Sequence, residues 1–176
     1  MTLQDLLVPG RNCDECTVCC TSLRIEEPEL MKKADVPCPH LSCERGCSIY
    51  NERPGVCRTW YCGWRILPFL KADMRPDRAG VLIRTDASNY TFQPVSREDA
   101  SKLLEMNVMN AIASLVANDF NVYLSVPTRP GFTNALMPLN AALKPSLKSM
   151  DFEEGVSAVK NVIFVGSRSL TLEESD

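Results

Sequence analysis

The N-terminal segment 13–20 reads CDECTVCC and holds four of the nine cysteines of this 176-residue chain. The other five lie at positions 38, 43, 47, 57 and 62, and the chain has no cysteine after position 62. Dense cysteines indicate disulfides in a secreted protein and metal binding in a reducing compartment. The odd count, the CxxC spacing and an N-terminus without the basic and apolar regions of a secretory signal favour metal. We therefore expect a metal-binding protein of the cytoplasm, with a disulfide framework as the weaker alternative.

The spacing within this segment predicts how the sulfurs are shared. Two cysteines separated by two residues occupy one tight turn, so both sulfurs can reach one ion at about 2.3 Å. Adjacent side chains in an extended segment point to opposite sides, so Cys19 and Cys20 are predicted to serve two ions or two edges of a cluster. A Cys19–Cys20 disulfide is the alternative, but it would be strained because neighbouring Cα atoms lie only about 3.8 Å apart.

Zinc and iron both suit this set of cysteines. Two tetrahedral zinc sites need eight thiolates, and nine cysteines are present. Cys13, Cys16 and Cys19, with the remote Cys38 followed by Pro39, also loosely follow the pattern of a ferredoxin cluster. Zinc is the favoured ion, and an iron–sulfur cluster is the alternative.

Further short motifs downstream carry a family resemblance. They are CPHL at 38–41, CSIY at 47–50, RP at 53–54, CR at 57–58 and WYC at 60–62. Together with segment 13–20 they resemble a bacterial family of proposed zinc or iron chelators named for its CxxCxxCC motif, the YkgJ-like proteins. The resemblance covers less than a third of the chain. The chain departs from the family pattern at Thr17, where the family commonly has glycine, and at Cys43, which falls outside it.

The resemblance and the spacing together give the predicted site. The expected metal ligands are Cys13, Cys16, Cys19, Cys20, Cys38, Cys47, Cys57 and Cys62, and no catalytic or other cofactor-binding residue is predicted. Cys43 is the expected spare, in a polar loop between Ser42 and Glu44, and ligation by His40 is left open. A flagellin lysine methylase carries a similar cysteine set, which is the reason to keep the iron–sulfur alternative, but its methylase role is not carried over to this chain.

The residues around the cysteines are expected to support the metal. Arg53 and Arg58 can offset thiolate charge or donate hydrogen bonds to sulfur. The nearby aromatic residues are expected to shield the site, and they are Tyr50, Trp60, Tyr61 and Trp64.

The chain divides by composition into two predicted parts. Residues 1–65 hold every cysteine and few apolar side chains, so we expect an irregular module that metal stabilises. Residues 66–176 are predicted to form a small mixed unit of strands and helices, which makes the fold class α+β. The predicted helices are 27–33, 97–118 and 151–159, and the predicted strands are 81–83, 90–92, 121–126, 135–139 and 162–165.

The net charge and the distribution of basic residues indicate which classes of partner are not expected. The net charge is −3 and the longest basic run is Lys32-Lys33, so neither nucleic acid nor an anionic membrane is an expected partner. Complete thiolate sites leave no open coordination position, which argues against hydrolysis and favours a protein that is not an enzyme. The leading hypothesis is a structural metal-binding module that serves as an interaction platform for a protein partner. The alternatives are an iron–sulfur protein with a redox or methylation-linked role, and metal storage or delivery.

Overall fold

Short helices and two small hairpins form the N-terminal part of the computed structural model, which describes residues 3–42, 46–86 and 88–174. In chain order they are a 3-10 turn at Leu3–Leu6, helix α1 (Val18–Ser22), strands β1 (Ile25–Glu27) and β2 (Leu30–Lys32), strands β3 (Leu41–Ser42) and β4 (Gly46–Cys47), a 3-10 turn at Tyr50–Glu52, and helices α2 (Gly55–Thr59) and α3 (Gly63–Ile66). Strands β1 and β2 pair antiparallel, as do β3 and β4.

The helix predicted at 27–33 is wrong, because these residues form most of the β1–β2 hairpin. Glu27 pairs with Leu30 across a turn that contains Pro28. Leu30 and Lys32 are buried whereas Met31 between them is 69% exposed, which is the alternation of a strand. Proline suits the first turn of a helix and the second position of a β-turn equally well, so Pro28 alone does not distinguish the two structures.

A four-stranded mixed sheet forms the centre of the second part, after a 3-10 turn at Ala72–Met74 and helix α4 (Pro76–Ala79). Its strands are β5 (Val81–Asp86), β6 (Asn89–Pro94), β7 (Asn121–Val126) and β8 (Ala135–Pro138), in that spatial order. The outer pairs are antiparallel and β6–β7 is parallel. The strands predicted at 81–83, 90–92, 121–126 and 135–139 are confirmed.

Three longer helices accompany the sheet, and they are α5 (Met106–Ala117), α6 (Asn140–Ser149) and α7 (Phe152–Ser167). The single helix predicted at 97–118 is correct only for α5, because a 3-10 turn at Ala100–Leu104 precedes it and Glu105 is extended. The helix predicted at 151–159 is confirmed, and Asp151 caps it by accepting a 3.0 Å hydrogen bond from the Glu154 N–H.

The strand predicted at 162–165 is wrong, because α7 continues through these residues. Val159, Val162 and Gly166 are buried at helical spacing, whereas Phe164 and Val165 are exposed. A short apolar run cannot be distinguished from the end of a helix by periodicity alone.

The hydrophobic core joins the sheet to the helices and to the segment that follows the cysteines. Phe92, Leu124 and Ile112 are fully buried in it, and Tyr61 and Trp64 belong to the same cluster. The predicted boundary at residue 65 therefore falls within a segment that packs into this core, and the division into two units stays a prediction. The α+β fold class is confirmed. Within the described part of the chain, every helix is too short or too polar to cross a lipid bilayer.

Gly63, directly after Cys62, is the point of closest approach between α3 and the sheet. A Cβ atom at this position would lie 2.7 Å from Ile83 Cγ2 and 2.8 Å from Ile83 Cβ. We expect Gly63→Ala to lower the free energy of unfolding by about 1–3 kcal/mol, because the added methyl overpacks a buried contact. Gly55→Ala is the matched control, since its nearest neighbour would be Glu29 Oε2 at 3.9 Å. Thermal unfolding of both variants checks this, and equal midpoints would contradict the close approach.

Candidate metal centre

Cys13, Cys16 and Cys19 are held close together by local backbone structure. The Cys16 N–H donates a 2.8 Å hydrogen bond to the Cys13 carbonyl, which forms the tight turn expected of a CxxC pair. Helix α1 begins two residues later and carries Cys19 in its first turn. The Cys19 thiol interacts electrostatically with the Cys13 sulfur. These three cysteines therefore belong to one cluster of thiols.

Cys62 completes this group from a distant part of the chain. It lies immediately before α3, and its carbonyl accepts a 2.9 Å hydrogen bond from the Arg65 N–H. The pKa of the Cys62 thiol is raised to about 11, chiefly by burial and also by the nearby Cys13 and Cys16 sulfurs, against two backbone hydrogen bonds that lower it. Cys19 also interacts with Cys62. We call Cys13, Cys16, Cys19 and Cys62 the first thiol group.

The remaining described cysteines form a second thiol group, which comprises Cys20, Cys38, Cys47 and Cys57. The Cys38 N–H donates a 2.9 Å hydrogen bond to the Cys20 carbonyl, and the Cys38 carbonyl accepts one of 2.9 Å from the Leu41 N–H. Leu41 of β3 pairs with Cys47 of β4. The Cys57 thiol of α2 has a raised pKa, because burial disfavours its thiolate and the Cys20, Cys38 and Cys47 sulfurs add negative charge nearby.

The adjacent pair Cys19 and Cys20 links the two groups. Both residues lie in α1 and not in the extended backbone assumed from sequence, and successive helical residues project about 100° apart. A hydrogen bond between the two sulfurs raises the pKa of Cys19 and lowers that of Cys20. Cys19 interacts with the first group, whereas Cys20 interacts with Cys57 of the second. All eight described cysteines are free thiols, so neither the adjacent disulfide nor a disulfide framework is present among them.

Cationic side chains lie close to both groups. The buried Lys32 ammonium donates to the carbonyls of Thr21 (2.6 Å) and Lys33 (2.9 Å), and it interacts electrostatically with Cys19, Cys20 and Cys38. Arg65 Nη1 lies 3.4 Å from Cys13 Sγ. The Lys32 charge is one of the causes that lower the pKa of the Cys20 thiol, after the hydrogen bond from Cys19.

The predicted supporting residues have different surroundings. The Arg53 guanidinium stacks 4.1 Å from the centre of the Tyr50 ring and lowers the pKa of Cys20, whereas Arg58 is exposed at the end of α2. The backbone carbonyl of His40 accepts a 2.8 Å hydrogen bond from the Ser48 N–H. Cys43 lies outside the described residues.

The sequence did not identify three charged neighbours of the cysteines, which are Asp77, Lys32 and Arg65. The Cys16 thiol donates a hydrogen bond to the Asp77 carboxylate, which also accepts two 2.7 Å hydrogen bonds from Arg75. Asp77 belongs to α4, which is distant in sequence from the CxxC pairs. No local pattern in the sequence identifies these three side chains as neighbours of the cysteines.

The types of side chain in the two thiol groups suit a metal ion, whereas their positions do not match the geometry of a metal site. Among residues 3–42, 46–86 and 88–174, no three His, Cys, Asp or Glu side chains are positioned to hold a metal ion. By their backbone hydrogen bonds and electrostatic interactions, the described cysteines nevertheless divide into two sets of four, and four is the number of ligands in a thiolate zinc site. Buried thiolates are costly unless they are paired or coordinated, and coordination removes the thiol proton. The donor set therefore suits zinc or iron, although the sulfurs are not in coordination geometry.

Comparisons with family models, curated protein sequences and solved structures gave no match to this chain.

Proposed function

We propose that this protein binds two metal ions, one at each thiol group, and that zinc is the preferred ion. The observation that carries the proposal is the division of eight cysteines into two sets of four, with Cys19 and Cys20 on different sets. Four thiolates complete the tetrahedral coordination of zinc and leave no position for water. Such ions stabilise a fold, so the proposed role is a non-catalytic, structural module that presents a surface to a protein partner.

The division into two thiol groups also argues against a ferredoxin-like iron–sulfur cluster. A ferredoxin-like cluster would combine Cys38 with Cys13, Cys16 and Cys19. Cys38 instead adjoins Cys20 through the backbone and Cys57 through its sulfur. This arrangement favours two mononuclear sites over that ligand combination. The cysteines in both groups are also those that carry the resemblance to the CxxCxxCC chelators, and free thiols suit the reducing cytoplasm.

Elemental analysis of paired cysteine variants tests this division directly. The protein is purified anaerobically, and its metal content and visible spectrum are measured. We expect about two zinc ions per chain and no visible absorption. Cys62→Ser is expected to lose about one ion, and Cys16→Ser combined with Cys62→Ser to lose no more, because both ligands serve the same site. Cys57→Ser combined with Cys62→Ser removes a ligand from each group and is expected to lose both ions.

Cys43→Ser is the matched control, because the sequence predicts that Cys43 is the spare cysteine. It is expected to keep the wild-type metal content. Equal loss in the two double variants would contradict the division into two groups. A metal-free protein that is fully folded would contradict metal binding itself, and iron with visible absorption would replace zinc by the iron–sulfur alternative.

A further inference from the structure

A solvent-open cleft whose lining residues include no cysteine lies between residues 69–74 and the first turns of α5. Its volume is about 590 Å³, which is within the range of small-molecule sites. Buried apolar side chains line its depth, and they are Leu70, Met74 and Ala111. The cleft therefore offers an apolar floor under an open mouth.

The mouth of the cleft carries opposite charges beside exposed apolar groups. Lys71 and Asp73 place an ammonium and a carboxylate on one wall, and Glu105, which pairs with Lys102 at 3.4 Å, lies at the start of the other. Phe69 is 45% exposed and Met106 is 58% exposed at the rim. A hydrogen bond of 3.5 Å from Asn107 Nδ2 to Asp73 Oδ2 crosses between the walls, and Asp73 is itself exposed, so its carboxylate stays accessible.

The opposite wall is a polar stripe of α5. Asn107, Asn110 and Ser114 recur at three- and four-residue spacing, so they share one face of the helix. Between them, the small Ala111 leaves room above the floor. The amides and the hydroxyl can both donate and accept hydrogen bonds.

The wall formed by residues 69–74 is held in place independently of any ligand. The Arg11 guanidinium donates hydrogen bonds to the carbonyls of Leu67, Pro68 and Leu70. The Trp64 indole N–H donates a 3.1 Å hydrogen bond to the Lys71 carbonyl. A wall fixed in this way lowers the ordering cost of binding.

We propose that this cleft binds a small zwitterion with a large apolar side chain, the chemical class of a free aromatic or aliphatic α-amino acid. The ligand ammonium pairs with Asp73, and its carboxylate pairs with Lys71 and the amides of α5. Its side chain packs between Phe69 and Met106 above the apolar floor. This site is separate from the thiol groups and goes beyond the proposed metal binding.

Calorimetric titration of the full, metal-loaded chain tests the proposal with three probes. They are L-phenylalanine, N-acetyl-L-phenylalanine, which lacks the ammonium, and L-phenylalaninamide, which lacks the carboxylate. We expect saturable binding of L-phenylalanine in about the millimolar range. Each derivative should bind roughly three- to tenfold more weakly, because the charges that it no longer pairs are solvent-exposed.

Two variants assign the contacts. Asp73→Asn should remove the preference for L-phenylalanine over the N-acetyl derivative, and Lys71→Met should remove the preference over the amide. The matched controls are Asp119→Asn and Lys144→Met, which alter an exposed ion pair of 3.0 Å outside the cleft. The proposal is overturned if L-phenylalanine does not bind saturably, if the three probes bind alike, or if the control variants change the preferences as much.

Discussion

Chelation of the proposed metal ions is expected to abolish hydrogen-exchange protection between residues 13 and 58 and to leave the four-stranded sheet protected. The amides that bridge the cysteines, such as Cys16 to Cys13 and Cys38 to Cys20, belong to a segment with few buried apolar side chains. Structural zinc contributes about 10–16 kcal/mol of binding free energy per site in small zinc modules, so its removal outweighs the other interactions there. Phe92 and Leu124, in contrast, are fully buried in the hydrophobic core that joins the sheet to the helices.

Hydrogen exchange with and without a chelator measures this difference residue by residue. The segment from Tyr61 to Leu67 is the informative boundary, because it contains the last proposed ligand, Cys62, but packs in the hydrophobic core. We expect it to stay protected with the sheet. Uniform loss of protection over the whole chain would instead show one cooperative unit, and uniform retention would show that the N-terminal segment folds without metal.

The sheet was predictable from sequence where one physical signal dominated. Val122, Leu124 and Val126 alternate with more polar residues, and all three are buried on one face of β7. Where two signals conflicted, prediction was wrong, as in the apolar run at the end of α7. Helix α6 was not predicted, since Pro145 lies inside it and few of its residues are buried. Packing of Leu143 into the core stabilises that helix despite the proline.

The candidate site was predictable in composition but not in grouping. The CxxC spacing indicated that Cys13 and Cys16 share a turn, and the backbone hydrogen bond between them agrees. The spacing could not show that Cys62 adjoins them, because that contact depends on the path of the whole intervening chain. Arg11 was not recognised for the same reason, since all its carbonyl partners lie at residues 64–70.

Arg11→Met is expected to lower the free energy of unfolding of the metal-loaded protein by about 3 kcal/mol. The Arg11 guanidinium donates to the carbonyls of Trp64, Leu67, Pro68 and Leu70, and it lies 5.3 Å from the centre of a Trp64 ring. Methionine keeps an apolar stem but removes the guanidinium donor from all four carbonyls. Arg11→Lys is expected to recover only part of the loss, because an ammonium has three donors and lacks the planar fork of arginine.

The measurement is thermal unfolding of both variants beside Arg78→Met, the matched control on the exposed end of α4. A surface arginine away from such contacts should change stability by less than about 0.5 kcal/mol. For a chain of this size, about 3 kcal/mol corresponds to a midpoint lowered by roughly 6–12 °C.

Arg11 lies two residues before Cys13, and Trp64 lies two residues after Cys62, so this contact also fixes the approach of the two distant ends of the first thiol group. Arg11→Met should therefore release metal from one site at a lower chelator concentration than Arg78→Met does. Equal midpoints and equal release in the two variants would show that Arg11 does not join these segments.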